Sequence, residues 1–333
     1  MNIILITGAS SGMGVEFALQ LDNVFHNIDE IWLIARRKKE MLEVAQYLEH
    51  PTRVLDMDVT NDNDVERLKR LLSDEKPVIR MLVNSAGYGI MGDFSKSDIG
   101  DELGMIDVNC RALTQMTYLC LPYMKKNSRI IQLASSAAFL PQPNFAVYAA
   151  TKSYVYSFSR ALNQELRTKE IYVTAVCPGP VDTPFFEIAE KTGSTLAVKK
   201  LTLVRADQVV EKAIEDSYHR REKSVYGTWI KSFEAAAKIL PHSAILELMR
   251  FLKFYAFWQE RGIRMKIQRK KKGDYEYPPY ETRRVIIRTA AYFLISIAVF
   301  LLGYFSTGQK ENLLTIVAVL GMLPSSKSLV AVV

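Results

Sequence analysis

Tyr148 and Lys152 stand four residues apart in the sequence YAATK, and this spacing places two side chains on the same face of a helix. A phenol next to a fixed positive charge ionises more easily, because the charge stabilises the phenolate. Such a pair suits general acid and base catalysis. The same spacing also occurs in ordinary surface helices, so its interpretation depends on the rest of the chain.

An apolar run at residues 2–7 leads into a glycine-rich turn, GASSGMG, and then into an amphipathic segment. A strand, a glycine turn and a helix beginning near Met13 form the arrangement that binds a pyrophosphate on backbone N–H groups at the positive end of a helix. An ordinary loop is the alternative, but the order of the three parts favours a dinucleotide site.

A second apolar run, IWLIA, is followed directly by Arg36 and Arg37. In this architecture the end of the second strand meets the adenosine ribose. A carboxylate there would bind the 2′-hydroxyl of NAD(H), whereas guanidinium groups fit the 2′-phosphate of NADP(H). The sequence therefore predicts NADP(H) in preference to NAD(H), although ARRKKE also suits the solvated first turn of a helix.

Strand-like runs alternate with helix-like segments through the first 250 residues. Further strands are predicted at 53–57, 80–84, 129–134, 171–176 and 223–227, and helices near 61–74, 101–125, 147–168 and 207–219. Apolar strands separated by helices predict an α/β protein, with a Rossmann-type doubly wound parallel sheet and helices on both faces.

The chain resembles the short-chain dehydrogenase/reductase family over residues 1–250. The matching pieces are TGASSGMG at 7–14, Asp58-Val59, NSAG at 84–87, Asn109, Ser135, YAATK at 148–152 and PGPVDT at 178–183. A glycine turn alone is weak support, but these pieces in family-like order and spacing are highly specific. The resemblance implies an NAD(P)-dependent oxidoreductase.

The resemblance also implies roles for the catalytic residues. Tyr148 would act as general acid or base, Lys152 would lower the pKa of the phenol and hold the nicotinamide ribose, and Ser135 would hydrogen-bond the reacting oxygen. Asn109 would hold a bend in its helix and anchor a proton-carrying water. The family spacing selects Ser135 over the adjacent Ser136, which is expected to turn away as a packing residue.

The expected cofactor contacts follow from the same resemblance. Asp58 would bind the adenine amino group, Val59 would pack on the ring, and Thr183 would bind the nicotinamide carboxamide. Asp58 could instead cap the next helix, but Thr60 and Asn61 are better placed for that. The complete predicted cofactor site comprises Thr7, Gly8, Ser10, Ser11, Gly12, Met13, Gly14, Arg36, Arg37, Asp58, Val59, Asn84, Ala86, Gly87, Tyr148, Lys152, Pro178, Gly179, Val181 and Thr183.

The composition is that of a reduced globular protein without a metal site. The three cysteines are odd in number, and neither they nor the four histidines have metal-ligand spacing. The net charge of +7 lies in residues 253–288, with 11 basic and 4 acidic residues, whereas residues 1–252 carry 30 and 31. The catalytic region is close to neutral, so it gives no reason to expect nucleic-acid binding. The basic run could bind nucleic acid, but the apolar sequence that follows it offers a better explanation of the run.

Residues 289–305 carry no charge, and with the preceding residues the apolar run reaches about 20, enough for a bilayer core of roughly 30 Å. Basic residues before such a span stay on the cytoplasmic side. We therefore expect a catalytic domain at 1–250 facing the cytoplasm, an amphipathic and basic linker at 251–284, and a membrane-anchoring region at 285–333. This last region would be a hydrophobic helix or a helical hairpin in contact with lipid, and one or two spans are equally open.

The substrate side of the protein is less well defined by the sequence. The segment at 184–200 is expected to form a lid that sets specificity, and its mixed composition leaves several substrate classes open. Aromatic residues at 242–259 hint at a lipophilic substrate, although this segment also suits a membrane surface or packing against the domain.

Two functions from different classes fit these features. The first is an NADP(H)-dependent oxidoreductase that transfers hydride to or from a small-molecule carbonyl or alcohol substrate. The second is a non-catalytic dinucleotide-sensing or membrane scaffold protein on the same fold, which is expected to have lost Tyr148 or Lys152. The presence of both, together with Ser135 and Asn109, favours the enzyme. Relatives pair through their long helices, so a homodimer or homotetramer is expected.

Overall fold

The chain is built on a parallel β-sheet. The computed structural model describes residues 1–192 and 203–243, together with 245–247 and 250. The strands in these residues are β1 (Asn2–Thr7), β2 (Glu30–Ala35), β3 (Thr52–Asp56), β4 (Val78–Asn84), β5 (Met124–Leu133), β6 (Tyr172–Val176), β7 (Val181–Asp182), β8 (Val204–Arg205) and β9 (Lys223–Ser224). Strands β7 and β8 pair with each other, and the other seven form one sheet in the order β3-β2-β1-β4-β5-β6-β9.

Helices connect the strands of the sheet. They are α1 (Gly12–Val24), α2 (Lys38–Ala45), α3 (Asp62–Glu75), α4 (Ile99–Ile106), α5 (Leu113–Cys120), α6 (Ala146–Glu165), α7 (Phe185–Ala189), α8 (Ala206–Tyr218) and α9 (Thr228–Ile239). Asn61 caps α3 by accepting from the backbone N–H groups of Asn63 and Asp64, so a capping role for Asp58 is not needed. The predicted Rossmann-type parallel sheet with flanking helices is confirmed.

Residues of β1 alternate between two apolar cores, one on each face of the sheet. Ile4 and Ile6 pack with α1, α2 and α8. Ile3 and Leu5 pack with α3, α5 and α6. All four side chains are fully buried. Because successive residues of a strand point to opposite faces, a continuous apolar run is what a strand covered on both faces requires.

The predicted helix at 101–125 is wrong in its continuity and in its end. Regular α-helix stops at Ile106, residues Asp107–Ala112 form a π-helix, and a 3-10 turn precedes β5. Pro122 lies in that turn and lacks a backbone N–H, so it does not continue a helical ladder. Strand β5 therefore begins at Met124, earlier than predicted.

The strand order reverses between the neighbouring strands β1 and β4. At such a point the connections leave to opposite sides, and a crevice forms at the carboxyl ends of the strands. The loops after β1 and β4 meet there: the backbone N–H of Ala86 donates to Thr7 Oγ1 at 3.2 Å. A Cβ on Gly8 would lie 2.7 Å from Ala86 N, so only glycine allows this approach.

The predicted regions beyond the catalytic domain, at 251–284 and 285–333, lie outside the described residues, as does most of the aromatic segment at 242–259. Within the part of the chain that the structure describes, no helix combines the length and apolar character needed to cross a bilayer.

Candidate active site

A cleft of about 860 Å³ opens at the carboxyl ends of the strands. Loops after β1, β2, β3, β4, β5 and β6 border it, together with the starts of α6 and α7. The sequence-predicted site residues that line it are Gly8, Ser10, Ser11, Gly12, Met13, Arg36, Arg37, Asp58, Val59, Ala86, Gly87, Ser135, Tyr148, Lys152, Pro178, Gly179, Val181 and Thr183. The fold therefore brings most of the predicted set to one surface.

Four predicted residues are not brought to that surface: Thr7, Gly14, Asn84 and Asn109. Asn84 is 2% exposed, and its Nδ2 donates to Thr117 Oγ1 and Gln132 Oε1 at 3.0 Å each. Its side chain thus ties two strands to α5 behind the cleft. The predicted direct role of Asn84 in cofactor binding has no side-chain geometry to support it.

The glycine turn forms a cradle for an anion. Gly8 and Gly12 have φ angles of 69° and 56°, which glycine adopts without strain. Ser11, at the N-cap of α1, makes no side-chain capping hydrogen bond, so the first N–H groups of the helix can bind a ligand. A Cβ on Gly14 would lie 2.2 Å from the carbonyl oxygen of Gly8. The turn therefore fits the pyrophosphate of a dinucleotide.

Two guanidinium groups lie at the end of β2, beside this turn. Arg37 donates to Ser10 Oγ from Nε at 3.3 Å and from Nη2 at 3.1 Å. Arg36 is 76% exposed at its side chain, and its Nη1 lies 3.8 Å from Asp58 Oδ2. Burial acts to raise the pKa of Asp58, but hydrogen bonds from Thr60 and the charge of Arg36 outweigh it and lower that pKa.

Helix α6 places Tyr148 and Lys152 on one buried face, 7% and 5% exposed. Lys152 Nζ donates to the carbonyl oxygen of Leu133, the last residue of β5, at 2.6 Å. Ser135 follows two residues later; its Oγ accepts from Ala137 N at 3.1 Å, and its hydroxyl is close enough to Tyr148 to act to lower the pKa of the phenol. Ser136 also borders the cleft, and its backbone N–H donates to Pro178 O at 2.8 Å, while the expected turn of its side chain away from the cleft stays a prediction.

The electrostatics of Tyr148 differ from the sequence-based prediction. Burial raises the pKa of Tyr148 to about 12, and the hydrogen bond with Ser135 offsets this only in part. Burial also lowers the pKa of Lys152 to about 8. The ammonium lies 5.6 Å from the centroid of the phenol ring and donates to a backbone carbonyl. Desolvation therefore outweighs the hydrogen bond with Ser135, and the pKa of the phenol is raised instead of lowered as the sequence predicted.

Asn109 lies in the π-helix and is 1% exposed. Its Oδ1 accepts from Tyr88 N at 3.1 Å, and its Nδ2 donates to Tyr88 O at 2.9 Å and to Thr151 Oγ1 at 3.0 Å. The regular α-helix is interrupted at Asn109, whereas the predicted bend and the proton-carrying water stay predictions. The side chain braces the loop after β4 against α6, next to the catalytic face.

An aromatic wall beside Tyr148 was missed by the sequence analysis. Phe145 stacks on the Tyr148 ring, with centroids 4.2 Å apart and an interplanar angle of 18°. Phe185 lies 5.6 Å from Tyr148 and 5.5 Å from Phe186. The FF dipeptide in the predicted lid was a usable signal, whereas nothing in the sequence singled out Phe145.

The described part of the predicted lid borders the cleft and is fastened at its end. The carbonyl oxygen of Ala189 accepts from Met91 N at 2.8 Å, and Lys191 Nζ lies 2.6 Å from Asp101 Oδ2. The Thr192 hydroxyl donates to Met91 O. These contacts join the segment after β7 to the loop after β4 and to α4.

Residues 2–193 match the family model of the short chain dehydrogenase, which covers the cleft, Tyr148 and Lys152. The chain belongs to the short-chain dehydrogenase family. An uncharacterized oxidoreductase of Staphylococcus epidermidis is 34% identical to it over 187 residues, covering 56% of this chain and 80% of that protein.

Two solved structures resemble this one and hold nicotinamide cofactors. The first is a short-chain dehydrogenase from Sphingobium yanoikuyae in complex with NADPH, with a TM-score of 0.61 at 25% identity. The match covers 75% of this chain and 96% of that protein. The 3-ketoacyl-(acyl-carrier-protein) reductase from Brucella melitensis, complexed with NADH, has a TM-score of 0.56 at 27% identity, covering 65% and 90%. The chain is thus a short-chain dehydrogenase/reductase, and both of these similar structures hold a nicotinamide cofactor.

Alanine at position 14 tests the glycine cradle. In Gly14→Ala the new Cβ meets Gly8 O, and we expect overpacking to cost about 1–3 kcal/mol of unfolding free energy and to abolish cofactor binding. Thermal unfolding and NADPH fluorescence measure the two effects. Gly92→Ala is the control, because its Cβ would lie at an ordinary 3.6 Å from Thr192. Cofactor binding by Gly14→Ala at wild-type affinity would contradict the cradle.

Proposed function

We propose that this protein is an NADP(H)-dependent carbonyl reductase for lipophilic ketones or aldehydes, with Tyr148 as the general acid. The observation that carries the proposal is the burial of Tyr148 next to Ser135, at the point where the polar, glycine-lined part of the cleft meets an aromatic wall. Oxidation of the corresponding alcohol uses the same groups in reverse.

The residues present fit a nicotinamide dinucleotide. The turn from Gly8 to Gly14 would take the pyrophosphate, Asp58 and Val59 the adenine, Lys152 the nicotinamide ribose, and Thr183 the carboxamide. When bound, the cofactor supplies the hydride. The protein supplies orientation and the proton.

Proton donation is the task of Tyr148. Its hydroxyl gives the proton to the carbonyl oxygen, while the Ser135 hydroxyl donates a hydrogen bond to the same oxygen and steadies the charge that develops there. Lys152, held by Leu133 O, supplies positive charge near the phenolate that remains. Tyr148 is protonated through the neutral range, as an ordinary phenol is, and burial extends that range upward, so the site starts in the state that reduction requires.

The preference for NADP(H) is supported by Arg36 and Arg37. Arg37 is anchored on Ser10 of the glycine turn, and the exposed Arg36 has a loose 3.8 Å contact with Asp58. A guanidinium group that has only a loose contact with a carboxylate is available to bind a phosphate at shorter distance. Arg36 and Arg37 would therefore bind the 2′-phosphate of NADP(H).

A lipophilic substrate is supported by the side chains beyond Tyr148. The three phenylalanines of the aromatic wall line the cleft, together with the apolar side chains of Ile90 and Ile188. Apolar and aromatic side chains with a few convergent polar groups are typical of sites for apolar ligands.

Attachment to a membrane, with the catalytic domain on the cytoplasmic side, is the second part of the proposal. It is supported by the uncharged run at 289–305 and by the 11 basic residues at 253–288. A lipophilic substrate would partition into the same membrane.

Tyr148→Phe tests the general acid. With aryl and cyclic aliphatic ketones as probes, we expect kcat for NADPH oxidation to fall by about 10²–10⁴-fold, the usual contribution of general acid catalysis, with NADPH affinity unchanged. Tyr154→Phe, on the same helix and paired with Thr114 at 2.8 Å, is the control. Full activity of Tyr148→Phe would disprove the mechanism.

The charge of Lys152 predicts a pH dependence. The activity of the wild-type protein should decline above about pH 8, because Lys152 loses its positive charge there.

Arg36→Asp tests the phosphate contact. Loss of a charge-assisted hydrogen bond of roughly 1.5–3 kcal/mol is expected to weaken NADPH binding about 10- to 100-fold relative to NADH. Cofactor fluorescence titration gives both affinities. Lys39→Asp makes the same charge change at a side chain that is 88% exposed and does not line the cleft. An unchanged ratio of the two affinities in Arg36→Asp would exclude the role.

Membrane attachment is tested by charges placed in the uncharged run. The full chain is expected in carbonate-washed membranes, and Leu294→Arg with Val299→Arg should move it to the supernatant, since each Arg costs about 2.5–3.5 kcal/mol at the centre of a span. Recovery of the unaltered chain in the soluble fraction without detergent would rule the anchor out.

A further inference from the structure

The ring of Tyr148 is enclosed by two phenylalanines and a glycine. Phe145 covers one face at a centroid distance of 4.2 Å, and Phe185 lies tilted at 5.6 Å. Gly89 closes a further side, because a Cβ on it would lie 2.6 Å from Tyr148 Cδ2 and 2.8 Å from Phe145 Cζ. The backbone at Gly89 therefore touches both stacked rings.

We propose that Phe145 is a positioning residue for the reaction, whose stacked ring holds the Tyr148 phenol in the orientation that lets its hydroxyl reach the reacting oxygen. This inference rests on the proposed role of Tyr148 as general acid. It adds to that role a residue whose own side chain has no group able to take part in proton transfer.

The chain fixes Phe145 through its backbone on both sides. Asn144 has a φ angle of 67°, a left-handed conformation that asparagine tolerates better than most residues, and its carbonyl oxygen accepts from Gly92 N at 2.8 Å. The N–H of Phe145 donates to Gln142 O at 3.1 Å, and its carbonyl oxygen accepts from Ala149 N at 2.9 Å. The ring is 6% exposed.

The need for such a support follows from the geometry of a phenol. The hydroxyl is at the far end of the side chain, so a small rotation of the ring moves it by a large distance. General acid catalysis requires heavy atoms within about 2.6–3.2 Å, and a misplacement of 1 Å can cost about 100-fold in rate. Ser135 lies at the hydroxyl end of the side chain, whereas Phe145 and Gly89 hold the ring.

Phe145→Leu removes the stacked ring and keeps an apolar side chain. We expect kcat for reduction of an aryl ketone to fall by about 10- to 100-fold, while the dissociation constant of NADPH changes by less than about twofold. The solvent deuterium isotope effect on kcat should rise, because a displaced acid makes proton transfer the slower step. A purely structural role would leave that isotope effect unchanged.

Gly89→Ala disturbs the same pair of rings from the other side. Its Cβ would press on both Tyr148 and Phe145, so it is expected to lower kcat and raise the isotope effect in the same way. In Phe145→Leu with Gly89→Ala, the losses should be less than additive, since both changes act on one packed unit. If Phe145→Leu gives little folded protein, Gly89→Ala decides the question by the same measurements.

Phe158→Leu is the matched control, because it breaks another stacked pair on the same helix, Phe158 with Tyr154, at 5.8 Å and 15°. It is expected to retain wild-type kcat and isotope effect. Wild-type kcat and isotope effect in Phe145→Leu or in Gly89→Ala, with Tyr148→Phe inactive, would overturn the positioning role and leave the proposed function intact. Activity of Tyr148→Phe would overturn both.

Discussion

The hydrogen bond from Lys152 Nζ to Leu133 O sets the register of α6 against the end of β5. Leu133 lies two residues before Ser135, and Lys152 lies one helical turn after Tyr148. The 2.6 Å contact between Lys152 and Leu133 therefore places the hydroxyls of Ser135 and Tyr148 at the same carboxyl edge of the sheet. Asn109 supports this register from behind through Thr151, the residue next to Lys152. The alignment of Tyr148 with Ser135 therefore depends on how α6 packs against β5.

Burial is the second constraint, and it acts on Tyr148 and Lys152 in opposite directions. Removing water penalises the charged form of each, so the pKa of the phenol rises and that of the ammonium falls. At neutral pH the phenol is protonated and the ammonium retains most of its charge. In the proposed reduction, burial holds the proton on Tyr148 but disfavours the phenolate that is left behind, and the positive charge of Lys152 offsets that cost. The aromatic wall that excludes water is thus part of the acid-base chemistry.

Local signals in the sequence predicted much of this arrangement. The spacing of Tyr148 and Lys152, the glycine turn and the alternation of apolar runs each depend on residues close in the chain, and the fold keeps them. Asn84 could not be judged in this way, because its partners Thr117 and Gln132 come from distant segments. The π-helix before α5 likewise has no strong local signature.

Two properties of the site escaped the sequence because they arise from packing. The stacking of Phe145 on Tyr148 depends on Gly89, more than 50 residues earlier, which leaves room for both rings. The raised pKa of Tyr148 depends on the burial that this packing creates. The sequence identified a positive charge near the phenol, but it gave no measure of desolvation, and desolvation is the larger effect.

The ionisation of Tyr148 is therefore the most direct test of the account. Carbon-13 NMR of protein labelled at tyrosine Cζ, with the Tyr148 signal assigned by its loss in Tyr148→Phe, follows this side chain through a pH titration. We expect the signal to remain that of a protonated phenol beyond pH 10.0, where an ordinary tyrosine is half ionised. Half-ionisation of Tyr148 at or below pH 10.0 would contradict the claim that a buried, protonated phenol is the acid.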